Sequence, residues 1–292
     1  PPFDAGAHID IVIAPEYQRQ YSLAGDPADR SKYVLGVLRE PMESGGRGGS
    51  LLMHRAFREG RMVFITKPTN HFPLYEDASV SLLFAGGIGV TPMIAMAHRL
   101  HALGKPFVLH YSAASRGSAG FLDDLSQMPW HAKVFYHFKD EGQRADLPAL
   151  LPDYPLGAHV YTCGAPRYMD GVFEAAMAKG WPQEALHREY FNVPEADAWV
   201  NHAFTLRLAQ TGRTFEVPAD RSATDVLAQA GIKIDTKCSD GLCGVCATPY
   251  DASASDELEH RDFVLGRMER EHKVILCCSR PKEAGGQLVV NI

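Results

Sequence analysis

The chain of 292 residues has no long apolar run. Its most apolar stretch, residues 81–97, carries three glycines and a proline and is too short to span a bilayer. It also lacks a basic excess. Its 29 Lys and Arg stand against 35 Asp and Glu, and the formal charge is −6. Residues 203–292 share that balance, with 11 basic and 13 acidic side chains. No segment carries a nucleic-acid footprint, so neither nucleic acid nor a membrane is an expected partner. The 13 histidines show no HxxxH or HExxH grouping, which excludes a zinc-protease type of helix. The chain opens on Pro1 rather than Met, and no signal-peptide pattern follows, so it reads as a fragment. A disulfide framework is absent too. Five of the six cysteines crowd into residues 238–278 and Cys163 stands alone, a clustering that points to a metal site in a reducing, cytoplasmic setting.

What remains is a globular composition, 46% apolar and 22% charged, with length for two domains or three small ones. Residues 1–75 hold short β-rich runs at 7–13, 19–23, 33–39 and 61–67, separated by turn signals that include the glycine-rich 44–50. That pattern predicts a small barrel or sandwich. Residues 76–193 alternate apolar strands (80–85, 107–112, 133–138, 159–163) with helical periodicity near 92–103, 118–127 and 168–179. The alternation predicts a parallel α/β sheet. A linker at 194–202 leads to residues 203–292, where strands at 204–208 and 214–217 precede a helix from Ala223 to Ala230, capped by Ser222 and closed by Gly231.

The last block carries the most specific signal. Cys238-x4-Cys243-x2-Cys246 with a further cysteine at 277 or 278 has the spacing of a plant-type [2Fe–2S] site. Three thiolates on one tight loop reach the cluster from one side, and a distant strand supplies the fourth. Gly241 and Gly244 stand where backbone must approach sulfide closely. Structural zinc is the competing reading, but it favours two separate two-cysteine knuckles. Pattern alone leaves Cys277 and Cys278 both open.

Gly86-Gly87-Ile88-Gly89-Val90-Thr91-Pro92 follows an apolar strand and opens a helix, a turn suited to a pyrophosphate. It is not the G-x-G-x-x-G pattern. Tyr161-Thr162-Cys163-Gly164 ends another strand of the same sheet, at the edge where such sheets bind ligands. In the first block, the run 19–23 is read with Arg19, Tyr21 and Ser22 on one face and Gln20 on the other. An arginine there, near Gly46-Arg47-Gly48-Gly49-Ser50, is a candidate phosphate partner.

Taken together, the runs at 19–23, 46–50, 86–92, 161–164, 187–191 and 238–246 occur in the order found in phthalate dioxygenase reductases, and the chain resembles that family over essentially its whole length. The resemblance extends to vanillate-demethylase reductase subunits and to P450-fused reductase tails. It implies a β-barrel flavin domain (here N-terminally truncated, since the family has further strands ahead of Pro1), an α/β nucleotide domain and a β-grasp ferredoxin domain. It also implies that Arg19, Gln20, Tyr21 and Ser22 form the flavin strand. Gly36 and Leu38 would line the flavin from the next strand, and Gly49 and Ser50 would hold its phosphate. Gly86, Gly87, Gly89, Thr91 and Pro92 resemble the nicotinamide-nucleotide loop, and Cys163-Gly164 the pair beside the nicotinamide. Glu189 and Phe191 match the end of the nucleotide domain, where an aromatic ring covers the flavin. Ser22, Thr91, Cys163, Glu189 and Phe191 are the implied catalytic set. Cys277 matches the fourth ligand beside Cys238, Cys243 and Cys246. Two departures stand out, a few extra residues around 251–257 and an alanine inside Gly164-Ala165-Pro166.

The implied function is an NADH-dependent reductase that passes electrons through a flavin to a [2Fe–2S] cluster and on to a terminal oxygenase, separate or fused. FMN is expected over FAD, and NADH over NADPH, although Arg116 stands where an arginine could meet a 2′-phosphate. A partner-free flavin reductase or NADH oxidase is the alternative, and a zinc-binding protein without redox activity the second. The acidic run Asp251, Asp256, Glu257 and Glu259 is read as a solvated loop, with steering of a basic acceptor as its functional alternative.

Overall fold

The computed structural model describes residues 1–14, 17–42, 48–193 and 199–292; the predicted phosphate-loop residues Gly46 and Arg47 lie outside them. The chain divides into two compact units, Pro1–Glu189 and Tyr190–Ile292. Among the described residues no helix is long and apolar enough to cross a membrane.

The first unit begins with β1 (Ala7–Ala14) and β2 (Tyr17–Ser22), an antiparallel pair with Ile9 opposite Tyr21 and Ile11 opposite Arg19. Helix α1 (Gly49–Ala56) follows, then β3 (Phe64–Ile65) and β4 (Thr69–Asn70), both also antiparallel to β1. Two expectations fail here. The run at 33–39 makes only an isolated bridge, Leu35 to Leu23, and 61–67 contracts to two paired residues. A strand exists through its ladder, and apolar composition without a pairing partner does not make one. Gly49 and Ser50 open a helix rather than a loop.

A five-stranded parallel sheet completes this unit. Its elements are β5 (Ser81–Gly86), α2 (Val90–Ala102), β6 (Phe107–Ala113), α3 (Leu122–Gln127), β7 (Val134–Phe138), α4 (Leu147–Leu150), β8 (His159–Cys163), α5 (Pro166–Ala178) and β9 (Leu186–Glu189). The strand order is β7-β6-β5-β8-β9. The unbroken apolar run of β5 follows from burial on both faces. Leu83 and Ala85 enter one core cluster with Val90, Met93 and Met96 of α2, and Leu82 and Phe84 enter another with Val172 and Ala176 of α5. Each such large side chain contributes about 2 kcal/mol. The first cluster also takes in Ile9 and Ile11 of β1, so the two sheets of this unit share one interior. The sheet order reverses between β5 and β8, which makes their carboxyl ends the topological switch point. The helix expected near 118–127 is shorter, Leu122–Gln127, because a 3-10 turn at Arg116–Ser118 with a Ser115–Ser118 capping box precedes it.

The second unit contains β10 (Phe204–Leu208), β11 (Thr214–Val217), α6 (Ala223–Gln229), β12 (Ala247–Pro249), β13 (Leu258–Glu259), α7 (Arg267–Arg270), β14 (Lys273–Ile275), β15 (Arg280–Pro281) and β16 (Gln287–Val290). β10 pairs antiparallel with β11 and parallel with β16. Ser222 caps α6 as expected: its hydroxyl accepts from the Asp225 amide, and Asp225 accepts from the Ser222 amide. Gly231, at φ +75°, ends the helix. Leu227 packs with Phe204, Leu206, Val274, Leu276 and Leu288 into one core. Among the described residues, buried Arg280 has no carboxylate partner. Its guanidinium donates to the carbonyls of His202, Pro218, Ala219 and Arg221, joining the start of β10, the loop after β11 and β15.

Candidate functional site

At the switch point three glycines let two strand ends meet backbone to backbone. A Cβ on Gly89 would lie 2.2 Å from the carbonyl oxygen of Cys163, and one on Gly164 would lie 2.9 Å from Gly86 Cα. Gly87 turns the chain at φ +55° with open space around it. Thr91 is buried and its hydroxyl donates to the Ile88 carbonyl at 3.0 Å, fixing the turn. Pro92 fits the first turn of α2, where its missing N–H has no partner to lose. The turn therefore presents amides and a helix start to the sheet edge, as an anion site requires. Ala165 takes the N-cap position of α5 with Pro166 beginning the helix, so the alanine departure is accommodated at a helix start. The sequence reading missed Tyr168, whose half-buried ring lies 3.0 Å from a Cβ placed on Gly86 and whose hydroxyl accepts from Ser112 Oγ at 3.3 Å.

Beside this edge three chemically active side chains converge from three strand ends. Cys163 of β8 and Glu189 of β9 are register partners, and Ser22 at the end of β2 donates to Glu189 Oε2 at 3.2 Å. Burial pushes the Glu189 carboxyl up to about 8, partly opposed by the Ser22 hydrogen bond. Burial, and then the neighbouring Glu189, push the Cys163 thiol well above its ordinary value. At neutral pH both groups hold their protons. The expected sharing of a face by Ser22, Arg19 and Tyr21 is corrected: successive strand residues alternate, so Ser22 has the parity of Gln20. Gln20 itself meets His8, Nε2 to Nε2, at 2.9 Å. Phe191 belongs to the second unit and is 37% exposed.

Arg19 and the start of α1 do come together. A Cβ on Gly49 would sit 3.2 Å from both Cγ and Nε of Arg19, so only glycine leaves that space beside the guanidinium stem. The Ser50 hydroxyl accepts from the Glu40 amide at 3.1 Å. Tyr21 is half-buried, and burial raises its phenol despite the nearby Arg19 charge. Gly36 is not in a strand, contrary to expectation; it packs so closely on the turn at 86–92 that a Cβ would lie 2.6 Å from Thr91 Cγ2 and 2.8 Å from the Phe121 ring. Leu38 is likewise outside any strand and exposed. Phe121, at φ +64°, is a second residue without a signal in the sequence. Arg116 is bidentate to Glu141, at 2.6 and 3.2 Å, with its guanidinium 4.5 Å over the Phe138 ring.

In the second unit four of the five cysteines pair two by two, and Cys277 also bonds Cys278. The Cys243 thiol donates to the Cys238 sulfur, which lowers Cys238 and raises Cys243; the Cys246 thiol donates to Cys277, and that bond raises Cys246. Cys238 also accepts from the amides of Asp240, Leu242 and Cys243, and Cys277 from Gly241. Two pairs of thiols are a donor set that could hold two irons with two thiolates each. Gly241, at φ +75°, and Gly244, at φ +68°, bend the loop so that its amides face sulfur. A Cβ on Gly241 would lie 2.9 Å from Cys278 Sγ. Cys278 is thus packed over the loop, while Cys277 carries the bond to Cys246. The acidic run is structurally engaged: Asp251 caps Ser253, Asp256 accepts from the Gln287 amide, Glu257 pairs with Lys282 and Glu259 with Arg261.

A family profile described as the 2Fe-2S iron-sulfur cluster binding domain matches residues 206–282. The chain is similar to the tert-butanol monooxygenase / tert-amyl alcohol desaturase reductase subunit of Aquincola tertiaricarbonis, 40% identical over 99% of this chain and 87% of that one. The crystal structure of an intact type IV self-sufficient cytochrome P450 monooxygenase superposes with a TM-score of 0.88 at 37% identity; it spans all of this chain, which covers 37% of the P450. Phthalate dioxygenase reductase, described as a modular structure for electron transfer from pyridine nucleotides to [2Fe–2S], superposes with a TM-score of 0.67 at 36% identity, over 100% of this chain and 89% of that one.

Proposed function

We propose a division of labour among the sites above for a chain that belongs to the phthalate dioxygenase reductase family, and whose architecture is that family's flavin barrel, parallel-sheet nucleotide domain and ferredoxin domain. It is an oxidoreductase that takes electrons from a nicotinamide nucleotide through flavin to a [2Fe–2S] cluster. When bound, the flavin converts a two-electron hydride donor into single electrons and the cluster carries them off one at a time. The chain's own residues bind, orient and shield.

The turn at Gly86, Gly87 and Gly89 and the start of α2 hold the nucleotide pyrophosphate, with Thr91 and Pro92 fixing the turn. Cys163 and Gly164 flank the nicotinamide. Ser22 and Glu189 keep a proton on a buried carboxyl at the same edge and exclude water from it. Arg19, with the space left by Gly49, takes the flavin phosphate, and Ser50 holds the segment at Glu40 beside it. Tyr21 packs along the flavin strand. Cys238, Cys243, Cys246 and Cys277 would hold the cluster, which would supply one-electron transfer there. The observation that carries this reading is the convergence of Ser22, Cys163 and Glu189 from three strand ends on the glycine-only edge.

The nucleotide is NADH and the flavin FMN. FAD is the second reading, favoured by a groove of about 400 Å³ lined by Arg39, Leu51, His54 and Arg55, next along α1 from Ser50; the mass of the flavin released on denaturation decides between them. The acceptor is a terminal oxygenase, separate or fused. Cys243→Ser tests the relay. Anaerobic reduction of the bound flavin by NADH should persist, while iron and acid-labile sulfide fall and reduction of added cytochrome c drops at least tenfold. Undiminished cytochrome c reduction refutes the relay.

A further inference from the structure

The Arg116–Glu141 pair stands apart from the other surface ion pairs. Exposed pairs contribute little to stability. This one is bidentate, stacked on an aromatic ring, and built at the sheet's carboxyl edge. Arg116 follows β6, the strand beside β5, and Glu141 follows β7, the next strand out. The two loops are tied together by a hydrogen bond from the Asp140 amide to the Ala114 carbonyl at 3.1 Å. The β6 loop is fixed at both ends. Ser115 and Ser118 form a reciprocal cap, and Tyr111 Oη donates to the Gly120 carbonyl at 3.1 Å. Beyond Glu141 the chain turns at Gly142, at φ +71°.

In doubly wound sheets the end of the strand next to the nucleotide turn faces the adenosine ribose, where an acid suits a free 2′-hydroxyl and an arginine suits a 2′-phosphate. Here both are present and satisfy each other. A 2′-phosphate dianion arriving at Arg116 would have to displace one carboxylate and sit close to it, with Asp140 also acting on the guanidinium. A ribose diol meets no such conflict, because the Glu141 carboxylate can accept its hydroxyl protons. Discrimination by a repulsive group built against the wrong ligand is a standard route to specificity.

We propose that Glu141 is the nucleotide-selecting residue: by holding Arg116 against Phe138 it disarms a latent 2′-phosphate site and sets the preference for NADH. This rests on the reading of the parallel sheet as the nicotinamide-nucleotide domain.

The test is the ratio of kcat/KM for NADPH to that for NADH, followed as anaerobic reduction of the bound flavin in the purified holoprotein. Glu141→Gln keeps the shape and removes the charge. The ratio should rise at least fivefold, chiefly through a lower KM for NADPH, and the rise should shrink as salt is added. The double variant Glu141→Gln, Arg116→Ala should lose that gain. A ratio within twofold of the parent in a variant that keeps its flavin and thermal midpoint overturns the proposal, as does a gain that survives removal of Arg116. If neither nucleotide reduces the flavin of the unsubstituted protein, the reading of the domain fails instead, and the two failures are thereby distinguished.

Discussion

Gly89→Ala is the sharpest single perturbation. Gly89 has φ −62° and ψ 0°, a conformation alanine adopts freely, so the backbone itself raises no objection. The added methyl, however, would lie 2.2 Å from the Cys163 carbonyl oxygen, 2.4 Å from its carbon and 2.8 Å from the Gly164 nitrogen. All three are backbone atoms of β8 or its exit, so no rotamer change relieves the contact and the strand ends must part by roughly 1 Å. Overpacking of this kind costs about 1–3 kcal/mol. In a unit of this size that lowers the midpoint by roughly 3–10 °C. The kinetic effect is larger, because a displacement of about 1 Å between reacting groups costs on the order of a hundredfold in rate. Gly87→Ala supplies the contrast. That residue is left-handed, at φ +55°, but a Cβ there meets nothing within 4 Å. It should incur only the conformational strain of about 1–2 kcal/mol, with hydride transfer changed by less than roughly tenfold. Stopped-flow reduction of the bound flavin by NADH, with thermal melts of the same samples, reads both quantities. If Gly89→Ala reduces its flavin as fast as Gly87→Ala does, the strand ends are not held by backbone contact and the reasoning is wrong.

Glu189 sets a pH dependence of definite sign. Its carboxyl is raised from 4.5 to about 8 by burial, so folding is best supported below pH 4.5 and that support is lost as pH rises through 8. Glu189→Gln should flatten stability across that window and remove an inflection near pH 8 from the rate of flavin reduction; an unchanged profile would show the proton to be elsewhere. His110 works in the opposite direction. It is lowered to about 4 by burial and by the neighbouring His137, so its contribution is complete above pH 6.5 and disappears as pH falls through 4. His110→Gln should spare roughly 2 kcal/mol of the acid destabilisation between pH 7 and 4.5, measured by urea unfolding.

Much of this architecture was legible in the residues. The parallel strands announced themselves as unbroken apolar runs because both faces of that sheet are covered, and Ser222 and Gly231 bracketed their helix because a cap and a left-handed exit each demand a particular residue type. Cysteine spacing carried the cluster loop. Pairing was not legible at 33–39, where apolar residues found no partner strand, and the parity of Ser22 was misread because a motif was grouped by chemistry rather than by alternation. Contacts distant in sequence were silent. Nothing at Glu141 points to Arg116, and nothing at Phe121 points to a positive φ or to Gly36.

The Arg280 guanidinium has a mechanical consequence. Four carbonyls from two stretches of chain converge on one rigid fork, which a lysine ammonium with three donors could not satisfy. A tug on the backbone at His202 is therefore delivered within the ferredoxin unit to a point three residues past Cys277.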